Sequence, residues 1–298
     1  MYQKLIMALP TAGLIAVAAV WGSTFFLIKD LTAHVPAMDF LAVRFLVAGA
    51  LAMAVFARRF KGLGLGVWKH GAILGVIYGL AQIAQTFGLA HTDASVSGFI
   101  TGMYVVLTPI VAWVLLKDKI PGFTWFAVGV AIVGLMILSL EGLSVGFGEM
   151  VTMLGALGYA LHIVMLSRWS KEHDILALTA VQLLTVGLFC LPFALQGGIT
   201  LPSTTGMWVS FMYMAIVAGF GAILVQTWSQ SRISATRTAI IMTCEPVFAS
   251  AFAVAFGGEH VTWRLLLGGS LVLGAMFLAE LVPYRMAQAH LKATPNNP

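Results

Sequence analysis

The chain has 298 residues, 60% of them hydrophobic and only 9% charged, with a formal net charge of +5 and a mean hydropathy of +0.97. A soluble domain carries roughly 25% charged residues, so this composition excludes an ordinary water-soluble enzyme and points to a chain solvated by lipid. The positive balance does not indicate nucleic acid, because the basic residues sit at joints between apolar runs, where a membrane surface meets them.

Cut at charged or Gly/Pro-rich joints, the apolar runs yield predicted spans of about 20 residues each. They cover 9–28, 36–57, 68–89, 95–116, 123–140, 148–167, 175–195, 207–230, 235–257 and 263–282, ten in all. The first run has features of a signal peptide, with Lys4, an apolar stretch and the small residues Ala16 to Ala18. It continues apolar to Ile28, however, and is read as the first helix. Joints this short force consecutive helices to lie antiparallel, which predicts an all-α integral membrane fold. Cys190 and Cys244 lie inside apolar runs and are read as small buried side chains. The segment 283–298 is read as a cytoplasmic tail, polar and expected to be disordered from Ala287 onward.

Basic residues on alternate joints set the orientation, since cytoplasmic segments retain them. With the N-terminus inside, the cytoplasmic set is Lys4, Arg58, Arg59, Lys61, Lys69, Lys117, Lys119, Arg168, Lys171, Arg232, Arg237, Arg285 and Lys292, against Lys29 and Arg264 on the other side. Both termini are therefore predicted to be cytoplasmic.

Residues 9–140 and 147–282 resemble each other. Trp21 aligns with Tyr159, Ala42-Val43-Arg44 with Ala180-Val181-Gln182, Leu46 with Leu184 and Gly49 with Gly187. Further on, Gln85-Thr86-Phe87 aligns with Gln226-Thr227-Trp228, Thr108-Pro109 with Glu245-Pro246, and Thr124-Trp125 with Thr262-Trp263. Five spans is an odd number, so the second unit must enter the membrane from the opposite side. Two inverted five-helix repeats are expected, with a solute site at their interface near the midplane.

Several of these marks carry a family resemblance. Trp21-Gly22-Ser23-Thr24-Phe25, Arg44 in the second span, the Thr108-Pro109 run ending at Asp118, and Glu245-Pro246 running to Glu259 resemble the drug/metabolite transporter superfamily, and within it the ten-helix EamA-type exporters. The resemblance covers about residues 9–282. It implies export of a small organic solute across the cytoplasmic (inner) membrane, and its members carry amino acids, nucleotide sugars, drugs and other metabolites. The chain is also similar overall to bacterial aromatic amino-acid exporters, a likeness that no single motif carries.

The chemistry left in the chain is sparse. The glycines from Gly62 to Gly66 are followed by Val67-Trp68-Lys69, without the Gly-Lys-Ser/Thr step that holds phosphate. No nucleophile elbow or metal-spaced cluster is present, and His162 alone makes no metal site. The expectation is therefore no enzyme, no cofactor and no metal. Asp39, Arg44, His162 and Glu245 are ionisable residues inside spans. Each costs about 2.5–3.5 kcal/mol at a helix centre if charged and facing lipid, so each must face protein or water. Glu245 and Arg44, with Asp39, are read as coupling or structural charges. Glu245 could take a proton or contact solute, or could brace the bundle through Arg44.

The candidates for lining a solute path are Trp21, Tyr78, Gln82, Gln85, Tyr104, Tyr159, His162, Tyr213, Gln226 and Trp228. Each combines a flat or polar tip with a mid-span position, offering ring stacking and hydrogen bonds to a neutral or zwitterionic solute. Tyr78, Gln82 and Gln85 share one helical face. Gly71, Gly75 and Gly79 follow another, where helices can approach closely, as do Ala94, Gly98 and Gly102 in the next span.

The expected partners are a small solute, preferably an amino acid, and the lipid bilayer, with no nucleic acid. The chain is compatible with a monomer. Alternating access is the expected mechanism, driven by the solute gradient or by protons. The alternatives are an exporter of multiple drugs or cationic compounds, and a receptor or scaffold that moves nothing.

Overall fold

A computed structural model describes residues 2–117, 122–141, 144–233 and 235–293. Asp118 and Lys119, and the last residues of the expected tail, lie outside the described residues. The chain runs through α1 (Tyr2–Thr32), α2 (Ala37–Val55), α3 (Leu65–Leu89), α4 (Ala94–Gly102), α5 (Tyr104–Leu116) and α6 (Gly122–Ser139). After these come α7 (Phe147–Trp169), α8 (Ile175–Ala194), α9 (Thr205–Met212), a π-helical stretch Tyr213–Gly221, α10 (Ala222–Gln230), α11 (Ala235–Met242), α12 (Glu245–Phe256) and α13 (Trp263–Ala293). Among the described residues, seven helices are long and apolar enough to cross a membrane, and Trp125–Leu138, Glu245–Phe256 and Trp263–Leu278 are shorter apolar helices.

Two features depart from the sequence reading. A two-residue antiparallel ladder, β1 (Leu140–Glu141) with β2 (Ser144–Val145), links α6 to α7 in an otherwise helical chain. Helix α13 also continues to Ala293, where a disordered segment from Ala287 was expected.

The helix breaks have local causes. Pro246 has no N–H to give the carbonyl four residues earlier, and that carbonyl belongs to Met242, where α11 ends. Helix α12 restarts at Glu245 with the proline in its first turn, where a missing donor costs nothing. Asp174 caps α8 by accepting from the backbone N–H groups of Leu176 and Ala177, each at 3.0 Å. Helix α4 is capped from far along the chain: Glu259 accepts from Ala94 N at 2.6 Å and Ser95 N at 3.1 Å.

Helix α2 packs along α8, α6 along α13, and α3 along both α7 and α8, while α1 and α4 pack against α12. The α2–α8 contact is reciprocal. A Cβ on Gly49 would lie 2.6 Å from the Leu184 backbone, and one on Gly187 would lie 2.6 Å from Leu46 N. Both helices give up a side chain so that the backbones can meet. Gly71 and Gly75 serve α3 in the same way, against Val181 and Thr185 of α8. Gly79 has ordinary contacts and leaves the close face.

Candidate functional site

Eight buried polar or charged residues, drawn from both halves of the chain, line one cavity. It is lined by Trp21, Thr24, Phe25 and Ile28 of α1, Arg44 of α2, Tyr78, Gln82 and Gln85 of α3, and Thr101 and Tyr104 of the α4–α5 rod. The second half contributes Tyr159, His162 and Ile163 of α7, Gln226 of α10 and Glu245 of α12. Their volume is small, about 30 Å³. That is room for water but not for an amino acid.

Hydrogen bonds knit one wall. Gln82 Nε2 donates to the hydroxyls of Tyr78 at 3.0 Å and Tyr159 at 2.7 Å. Tyr159 in turn donates to Gln85 Oε1 at 2.5 Å, and Gln85 Nε2 reaches Thr101 Oγ1 at 3.4 Å. The spacing of Tyr78, Gln82 and Gln85 along α3 allows this, since residues three and four apart stack on one face. Aromatic rings back the network: Tyr78 lies 4.9 Å from His162 and 5.8 Å from both Tyr159 and Phe45. His162 is held from behind by Gln182 Oε1 at 2.9 Å.

The cavity also holds an arginine and a glutamate. Glu245 is 4% exposed and accepts from the Tyr104 hydroxyl at 2.9 Å. The same hydroxyl lies 3.5 Å from the Met242 carbonyl, the one freed by Pro246. Arg44 is 2% exposed; its Nε donates to the Met214 carbonyl at 3.0 Å and its guanidinium lies over the rings of Phe45 and Phe40 at 4.9 and 5.4 Å. Trp21 Nε1 donates to the Ala218 carbonyl at 2.9 Å. Both accepting carbonyls belong to the π-helical stretch. No ion pair joins Arg44 to Glu245 among the described residues, so the bracing role considered for that pair is not made here. Three polar atoms of the cavity residues have no hydrogen-bond partner among the described residues: Arg44 Nη1, Gln82 Oε1 and Gln226 Oε1.

Three expected residues fall elsewhere. Trp228 sits two positions beyond Gln226, which turns it about 200° around the helix, and its ring stacks with Arg232 at 4.4 Å. Tyr213 bonds Ser23 at 2.7 Å in a lateral groove of about 560 Å³ on the other face of α1. Asp39 accepts from the Thr200 backbone N–H at 2.8 Å and ties the start of α2 to the segment before α9. Sequence reasoning also missed Thr24, Phe25, Ile28, Thr101 and Ile163 as cavity residues. A threonine in a helix usually satisfies itself on the backbone, as Thr24 does on the Trp21 carbonyl at 2.7 Å, and so gives no sequence signal.

Comparison with known proteins agrees with this architecture. The family model for the EamA-like transporter family matches residues 10–140 and 146–281. An uncharacterized transporter of Archaeoglobus fulgidus is 32% identical over 90% of this chain and 85% of its own length. The uncharacterized inner membrane transporter YedA of Escherichia coli is 24% identical over 93% of this chain and 92% of its own. A solved crystal structure overlays with a TM-score of 0.67 at 16% identity, covering 92% of this chain and 97% of the other, a likeness of fold. The family and these relatives are transporters and not enzymes. This multi-pass membrane protein belongs to the EamA-like transporter family.

Proposed function

We propose that the protein exports small amphipathic metabolites, with amino acids, including aromatic ones, preferred, by alternating access of the central cavity across the inner membrane. The observation that carries this reading is the coexistence in one cavity of a cation with an unpartnered donor, Arg44, a carboxylate, Glu245, and a wall of tyrosines. An amino acid has complementary parts: a carboxylate for the guanidinium, an ammonium for Glu245 and the free amide oxygens of Gln82 and Gln226, and a ring for the tyrosines. The small volume fits a carrier that must open to load, rather than a channel.

Several observations support ten spans in two inverted units, residues 9–140 and 147–282, with residues 283–298 as the tail and both termini cytoplasmic. The long and the shorter apolar helices together occupy the ten expected spans, and the family model's two stretches fall on the two units. Gly49 is the repeat equivalent of Gly187 and Leu46 of Leu184, and the contacts Gly49–Leu184 and Gly187–Leu46 are reciprocal, as expected of a pseudo-twofold axis between α2 and α8.

The drug-exporter reading has Glu245 in its favour, the one carboxylate lining the cavity among the described residues. A cationic compound would, however, meet the Arg44 guanidinium in the same space. Purified protein in liposomes, offered labelled amino acids, nucleosides and cationic dyes, decides between these readings. Uptake of amino acids, aromatic ones included, above the others supports the proposal; uptake of dyes alone favours the drug exporter, and no uptake favours a scaffold.

A further inference from the structure

Outside the cavity lining, near the start of α3, three metal-ligating side chains meet. His70 Nδ1 lies 2.6 Å from His173 Nε2, and the ligand atoms of His70, Glu172 and His173 all lie within 4.8 Å of one another. We infer that His70, Glu172 and His173 form a binding site for a first-row divalent metal ion such as zinc, fastening the start of α3 to the α7–α8 connection.

The site is shaped by its surroundings. The Trp169 ring stacks on His70 at 4.2 Å and 5°, which fixes the plane of the imidazole. Gly66 leaves the space that the His173 ring fills, since a Cβ there would meet His173 Cε1 at 3.2 Å. The connection itself is held by the Arg59–Asp174 ion pair at 3.8 Å and by Asp174 capping α8. His70 and His173 are half-buried and Glu172 is exposed, so an ion can reach them from solvent.

Two imidazoles and a carboxylate with an open fourth position suit zinc. The two ring nitrogens lie within hydrogen-bond distance, which places a proton on one of them. At metal–nitrogen distances of about 2.0–2.1 Å, tetrahedral ligation would set them about 3.3 Å apart, so the rings need to part by less than an ångström. Binding therefore displaces that proton, and Glu172 exchanges its 3.6 Å ion pair with Arg168 for the metal. The nearby cations Lys69, Arg168 and Lys171 oppose an added positive charge, and the Glu172 carboxylate offsets part of that. No spacing motif announces the site, because its two histidines are 103 residues apart in the chain.

The test is calorimetric titration of the purified full chain in detergent with zinc chloride, alongside His173→Ala and the double variant His70→Ala/His173→Ala. The expected result is one equivalent bound by the wild-type protein, loss of that equivalent in both variants, and a metal-induced rise in melting temperature confined to the wild type. Glu172→Gln should weaken binding about tenfold, as loss of one ligand or its support commonly does. Metal-free melting temperatures report whether the variants fold, and His173 lies in a connection where the single change leaves the helices intact. Equal titration of wild type and variants, or no heat from the wild type, would overturn the site.

Discussion

Tyr104 donates a 2.9 Å hydrogen bond to the Glu245 carboxylate, and it can do so because both residues sit at breaks in their helices. Helix α4 stops at Gly102 and α5 begins at Tyr104, while α12 begins at Glu245 after Pro246 has interrupted the run. Such interruptions are tolerated at membrane depth where they line a cavity. Removing the charge with Glu245→Gln keeps the shape and the acceptor oxygen. Binding of amino acids is expected to fall at least tenfold, as loss of a charge-assisted hydrogen bond of about 1.5–3 kcal/mol implies. Binding of deaminated analogues should barely change. Equilibrium binding of both ligand classes to the two proteins in detergent checks this.

The matching expectation for Arg44 concerns the other end of the solute. Its Nε is committed to the Met214 carbonyl and Nη1 is left unpartnered beside the cavity. Arg44→Lys keeps a charge but loses the planar fork, so amino-acid affinity should drop while esterified analogues are unaffected. A parallel loss for acids and esters would instead assign Arg44 to holding the π-helical stretch in place.

The α2–α8 contact yields a stability expectation. Gly187→Ala puts a methyl 2.6 Å from the Leu46 backbone nitrogen, which no side-chain rotation relieves. Overpacking of this kind costs about 1–3 kcal/mol, and Gly49→Ala, at the equivalent position against Leu184, should cost a similar amount. Thermal melts of the two variants in the same detergent measure it. Gly79→Ala, with no contact closer than 3.5 Å, should melt close to the wild type.

Orientation can be read independently. A reporter active only in the cytoplasm should work when fused at either terminus, and one inserted beside Gly258, in the joint that bears Glu259, should not. Activity at that joint would contradict the inverted arrangement.

Much of the site was legible because lipid makes polar residues conspicuous. Gln85, Gln226 and Glu245 stand out in apolar runs and do meet at one cavity. The partner of Arg44 was not legible. It is a backbone carbonyl exposed by π-helical winding in Tyr213–Gly221, and nothing in that apolar run marks a change of helical period. The flat ring and in-span position of Trp228 suggest a path residue, whereas two residues of helical rotation carry it to the far side of Gln226. The His70–His173 pair was invisible for the opposite reason to Gln85. Histidines at the ends of spans are unremarkable in sequence, and only the packing of α3 along α7 and α8 brings these two together.

The central claim is that a single cavity opens to each side in turn, and counterflow tests it most directly. Liposomes bearing the purified protein are loaded with unlabelled aromatic amino acid and diluted into a trace of the labelled form. Alternating access should produce a transient accumulation of label above the outside concentration, abolished by removing the internal load. Label that only equilibrates, or that never enters, would contradict the account.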